Sequence, residues 1–507
     1  MKISLKSLLP LCFFIVPVIA FAQKIVYSEP ERDDNRRTNF EIIGKISGNF
    51  LVFKNNRNDN AISVYDNDMK LLQRVNLDFI PDRYINVYFV PYSDHFYMFY
   101  EYQHKNIVHL AMVKMDGFAK KLNEPADLDT TQIGLTSSNK IYTTIFSEDK
   151  QRIMLFKINS KNSKNFLFTT FLYDGNMELL DRHRIYLPME EKENSFTDFS
   201  LDNDGELVFA KFLNSSGGDY ITRVNMVTKG PLADTFSIKD AGTQDHILDE
   251  LKIKVDNTNK RYILTGFYYK QKRGNIEGAY SLLWDKVSDT RIKESFAAFT
   301  EDLRSVAKSS ESSIKSAFND FFIKQIITKR DGGYILISEA EYSTSRGGYF
   351  NRWDYMNGYN PYMGPGFGGY YGSPFYGNRY GNYNGNTAMR YHAENLMIVS
   401  FDKDDNVEWS NVIPKSQYDD ETDNMISYQL MNTGGELHFL YNQYEGRNLL
   451  LNDQSIAPDG KITRYPTLKN LDKGYEFMPR HGRQLSGKQI LIPCLYRNYL
   501  CFAKVDF

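Results

Sequence analysis

Apolar residues in this chain come in short runs separated by polar turns, and the runs recur in pairs. Eight times a turn rich in Gly, Asn, Asp or Ser precedes an apolar run, and a second run follows, in most units after about a dozen residues. The first runs begin at Phe50, Phe96, Ile153, Leu207, Tyr262, Tyr334, Leu437 and Ile490. The second begin at Ile62, Val108, Leu167, Tyr220, Tyr280, Leu396, Leu449 and Tyr499. Both sets are β-branched and aromatic and too short for helices, so they read as strands. Several second runs end in an acidic turn, as at Asp66-Asn67-Asp68, Asp116-Gly117, Asp174-Gly175 and Asp402-Lys403-Asp404. A polar-leaning strand follows each turn, and a lead-in strand completes four per unit.

Repeated four-stranded antiparallel units predict an all-β fold, a β-propeller of about eight blades with seven as the rival count. Each blade covers the apolar face of its neighbour, so the array must close to leave no bare edge. The last unit stops at Phe507, one strand short. Lys24-Ile25-Val26-Tyr27 is a strand with no unit of its own, and it is expected to supply the missing outer strand.

Two insertions interrupt the pattern. Over 298–322, Phe299, Leu303, Val306, Ile314, Ala317 and Phe321 recur at helical spacing, with Thr300 as a cap and Glu301 and Asp302 in the first turn. This predicts an amphipathic helix, packed on a blade end or free to dock a partner. Residues 345–391 are dominated by Gly, Tyr and Asn and nearly lack aliphatics, which predicts a loop that cannot fold alone. Arg352, Trp353 and Tyr355 are its most contact-capable cluster, because aromatic rings stack on sugars or other rings. His392 and Glu394, where the loop rejoins the blade, are further ligand-binding candidates, or else they satisfy backbone at the loop base.

Residues 1–22 read as a signal peptide. Lys2 and Lys6 precede the apolar stretch Leu8–Ile19, and Ala20-Phe21-Ala22 is a small-x-small cleavage site. The expected mature chain begins at Gln23, is exported, and has no transmembrane segment. A net charge of −2 gives no polyanion footprint, so nucleic acid is not an expected partner. Cys494 and Cys501 flank Arg497-Asn498, and if those two residues form a turn the cysteines face each other. Export would permit a disulfide there, and two buried thiols are the alternative.

Catalytic patterns are weak. No HxH, HExxH, CxxC, GxSxG or phosphate-loop motif occurs, so no metal ligands, cofactor or catalytic residues are assigned. Asp419-Asp420-Glu421 and Asp423 read as a solvated loop. Asp402, Asp404 and Asn406 start like a calcium loop but lack its later Gly and Glu, so they read as a hairpin turn.

The leader ending Ala22-Gln23, the stretch Asn395–Asp402 followed by Glu408-Trp409, and Met431-Asn432-Thr433-Gly434-Gly435-Glu436-Leu437 resemble uncharacterised secreted proteins of Bacteroidota. The resemblance implies an envelope location, periplasm or cell surface of a Gram-negative bacterium, and supplies no activity. The leading expectation is a non-enzymatic module that binds an envelope protein or glycan. The alternatives are a glycan-active hydrolase or lyase, whose two carboxylates would converge at one mouth of the ring, and a structural subunit docking through the helix.

Overall fold

The computed structural model describes residues 24–507 apart from 32–37, 57–58, 82–83, 135–140, 163–164, 190–193, 216–219, 243–245, 273, 309–317, 319, 346–347, 351–388, 421–422, 446–447 and 467–473. The described chain is all-β, with one short α-helix and antiparallel pairing throughout. Every pair of apolar runs forms the central hairpin of a sheet. In unit one (39–76), for example, Asn49–Asn56 pairs with Asp59–Tyr65, the lead-in strand Asn39–Ile46 flanks one side and Leu71–Asn76 the other. Units two (84–132), three (142–188), six (321–419) and seven (428–464) repeat this order. Units four (194–240) and five (247–298) are joined into one nine-stranded sheet at the single pair Ile221–Leu248. In unit eight (475–506) the outer strand is Lys24–Tyr27, running antiparallel to the final strand from Lys24 opposite Asp506 to Tyr27 opposite Ala503.

The acidic turns have a local cause. One carboxylate oxygen of Asp66 accepts the backbone N–H groups of Asp68 and Lys70, and Asp116, Asp174 and Asp402 do the same for residues two and four further on. The side chain thereby replaces ladder partners that the turn removes. The residue three after the Asp takes left-handed backbone: Met69 (φ 58°), Ala119 (φ 55°), Met177 (φ 66°) and Asp405 (φ 62°). Asp402 is thus the head of a hairpin turn, as its sequence suggested.

Apolar clusters join each unit to the next. Leu51, Phe53 and Ile62 of unit one pack with Val87, Phe89 and Met98 of unit two, and similar clusters link units two to three, three to four, four to five, five to six and six to seven. Met431 and Leu440 of unit seven meet Ile490 and Ile492 of unit eight. Phe50 and Val52 of unit one meet Leu491 and Phe502 of unit eight. Glu31, just after the N-terminal strand, crosses back to unit one, where it accepts hydrogen bonds from buried Lys54 (2.6 Å) and Tyr65 (2.7 Å). Burial alone would push the Glu31 carboxyl up. Lys54, Tyr65 and Arg74 together outweigh that and hold it below its ordinary value.

The predicted helix over 298–322 is shorter than expected. It spans Glu301–Ala307, with the Thr300 hydroxyl accepting from Leu303 N–H as predicted. Phe321 belongs instead to the strand Phe321–Thr328, paired with Ala340. Phe299, Leu303, Ala307, Phe318 and Phe321 are buried in the cluster between units five and six, while Val306 is 59% exposed. The apolar face of the described helix is therefore covered by its own fold. Ile314 and Ala317 lie outside the described residues.

Candidate functional site

Antiparallel order sorts the connections into two groups. Turns between the first and second and between the third and fourth strands of a unit fall at one end, and the remaining connections fall at the other. Most of the first group are short turns, 117–125 and 230–236 being longer, and neighbouring units bond through it, as in Asn49 Nδ2 to Gly117 O, Asn203 N–H to the Asn257 side chain and Trp409 Nε1 to Pro458 O. The three longest connections, 299–320, 346–388 and 414–427, all leave from the opposite end, around unit six. The candidate site is built there.

Its first part is the root of the Gly/Tyr-rich insertion. Strands Tyr334–Ser345 and Met389–Phe401 continue beyond the other strands of unit six, and Gln417–Asp419 is added along Tyr391–Ala393. Alternate residues share a face, so Arg390, His392 and Glu394 align, with Tyr342 opposite His392 on one side and Tyr418 opposite it on the other. The His392 ring stacks on Tyr342 (4.4 Å, 12°), and its Nε2 lies 3.1 Å from the Thr344 hydroxyl. Tyr342 donates to Glu394 Oε1 at 2.6 Å. The Arg390 guanidinium covers the Tyr418 ring at 4.3 Å and forks onto Asp420 (2.5 and 3.1 Å). Burial, reinforced by the Arg390 charge, pushes the His392 pKa down to about 4, so the ring is neutral at pH 7. A base that weak contributes little proton abstraction near neutrality. The face is an aromatic and hydrogen-bonding platform, half-open at Tyr418, which is 51% exposed.

The second part is an ionic cluster deeper between units six and eight. Lys324 on the first strand of unit six lies 2.7 Å from Glu341 and 3.8 Å from Glu339. Lys415 lies 2.7 Å from Glu339, and both side chains are fully buried. Ser427 donates to Glu339 at 2.5 Å. Burial lowers the Lys415 pKa, against the pull of Glu339 and Glu341. Arg480 bonds Glu341 (2.6 Å) and Asp423. Its position follows from Pro493, which has no N–H to offer on the side of the first strand. That strand is broken there into Tyr475–Phe477 and Arg483–Ser486, and the intervening Pro479–His481 turn carries Arg480 toward unit six.

His392 and Glu394, predicted from sequence, therefore share one face and the partner Tyr342. Their neighbour Asn395 satisfies backbone, bonding Ala307 O and Lys415 N–H. Arg352, Trp353 and Tyr355 lie outside the described residues. The acidic stretch is a correction. Asp420 and Asp423 are ion-paired to Arg390 and Arg480 rather than merely solvated, because a strand of unit six and a turn of unit eight bring in arginines the local sequence does not show. The ionic cluster was missed because its members are spread from Lys324 to Arg480. The available signal was Ser338-Glu339-Ala340-Glu341, charged residues set into a buried strand. Glu339 and Glu341 do converge, and each is held by a cation. Among the described residues no group of three or more His, Cys, Asp or Glu side chains is placed to hold a metal, and no helix is long and apolar enough to cross a membrane.

No family model and no curated protein matches the chain. Solved structures similar to it include prolyl oligopeptidase B from Galerina marginata, at 8% identity and a TM-score of 0.42, covering 92% of this chain and 56% of that one. The chain thus spans little more than half the length of that protein. Synechocystis apocarotenoid oxygenase is similar at 8% identity and a TM-score of 0.35, covering 76% of this chain and 74% of that one. Likeness this distant assigns no activity.

Proposed function

We propose that the chain is an exported, non-enzymatic binding module: a closed ring of eight blades, located in the periplasm or at the surface of a Gram-negative cell, that holds an envelope protein or glycan. Eight blades follow if the nine-stranded sheet is counted as two modules, which its single joining pair supports. Closure is supported by the clusters on both flanks of unit eight and by the N-terminal strand within it. The observation that carries the binding reading is the departure of the three longest connections from the end of unit six that carries the platform of Tyr342, Arg390, His392 and Tyr418. Rigid scaffolds place binding residues on loops in this way. The insertion would add Arg352, Trp353 and Tyr355 to that surface.

The test is removal of 351–388 with a short Gly/Ser replacement. The account expects an unchanged melting temperature and loss of the envelope component that the intact chain retains in affinity purification. A shortened chain that retains the same component at the same yield contradicts the role of the insertion.

A further inference from the structure

The eighth unit holds a feature that the binding reading does not use. Its hairpin turns at Arg497 (φ 51°) and Asn498 (φ 68°), both left-handed, as a two-residue mirror-image turn requires. That turn places Tyr496 opposite Tyr499, Leu495 opposite Leu500 and Cys494 opposite Cys501. Both cysteines are free thiols in the structure, 0% and 1% exposed, with sulfur atoms 3.1 Å apart. The Cys501 Sγ is also 3.3 Å from Cys494 O. Both lie in the cluster that receives Ile25 and Tyr27 from the N-terminal strand. One residue beyond Cys501, Phe502 exchanges bonds with Ser28: its carbonyl accepts Ser28 N–H at 2.8 Å, and its own N–H donates to the Ser28 hydroxyl at 3.0 Å.

We propose that Cys494 and Cys501 are a modification site, oxidised to a disulfide while the hairpin forms and sealed when the N-terminal strand docks beside it. Directly opposed residues of an antiparallel pair come within reach of a bridge, and here the two side chains already point at each other. The order of events follows from burial. A thiolate is the attacking species; burial with the neighbouring thiol pushes the Cys494 thiol far up, and both sulfurs are shut away from any external disulfide once the sheet closes. In the open hairpin one thiolate attacks an external disulfide, such as oxidised glutathione, and releases one thiol. The second cysteine then attacks the mixed disulfide and releases the other. The two electrons pass to the external disulfide, which leaves as two thiols carrying the protons. Once the sheet closes, reductant is excluded in the same way that oxidant is.

The experiment refolds the mature chain in reduced and oxidised glutathione, then denatures it with iodoacetamide and no reductant. The 494–501 peptide is expected to remain unalkylated and to have lost two hydrogens, becoming doubly alkylated only after reduction. Recovery of both cysteines alkylated without reduction overturns the bridge. A second arm adds oxidised glutathione to chain already folded in the reduced form. Oxidation at least a hundredfold slower than during refolding is expected, and oxidation at the refolding rate overturns the sealing. Neither arm depends on export or on the partner.

Discussion

At the residue scale, the informative positions are charged or titratable groups that the fold has taken out of water. His392 holds its proton near pH 6.5 when unfolded and only near 4 when folded. Between those values the unfolded chain binds a proton that the folded chain lacks. The stability contribution is therefore fully present above about 6.5 and lost as pH falls toward 4. His392→Gln removes that dependence, so urea melts at pH 7.5 and 5 should show a larger loss for the parent than for the variant. Equal losses would mean that His392 is not neutral on its platform. Glu339 is a different case, because its loss strands a buried cation. Glu339→Gln should cost about 3–5 kcal/mol, the usual cost of orphaning one partner of a buried pair. Glu339→Met with Lys415→Met should recover most of that, and a double variant as unstable as the sum of the two single ones would show that the pair is not coupled.

At the scale of elements, what was legible in the sequence was what is local. The central strands and the acidic turns rest on neighbours within about five residues, so Asp66 or Asp402 announces its turn directly. The Thr300 cap was legible for the same reason. The end of the helix was not, because Phe321 is claimed by a strand partner, Ala340, that helical spacing cannot reveal. The ionic cluster was invisible for a stronger form of that reason, since Arg480 of unit eight reaches Glu341 of unit six only after distant units have packed. The hairpin at Arg497-Asn498 offers a test of turn chemistry. A side chain in left-handed backbone costs about 1 kcal/mol, and Asn-Gly is the favoured pair for this turn. Arg497→Asn with Asn498→Gly should therefore raise stability by about 1 kcal/mol in chemical melts. A loss would mean that the Arg497 guanidinium, 5.2 Å from the Tyr496 ring, contributes more than the strain it causes.

At the scale of the whole molecule, ring closure depends on one junction. Units one to seven pack in chain order, which an open arc would also satisfy. Among the described residues, unit eight is where the first and last strands come together, through Lys24–Tyr27 beside the final strand and Glu31 reaching Lys54 and Tyr65 of unit one. If that junction holds, each unit has a covered face, and the platform on unit six is mounted on a rigid support. Native-state hydrogen exchange on residues 23–507 tests this most directly. The account predicts that the bonded amides of 24–27 exchange as slowly as those of the final strand, Tyr499–Asp506, opening only with the whole fold. Exchange of 24–27 at the rate of an unstructured peptide, with the final strand still protected, would contradict it.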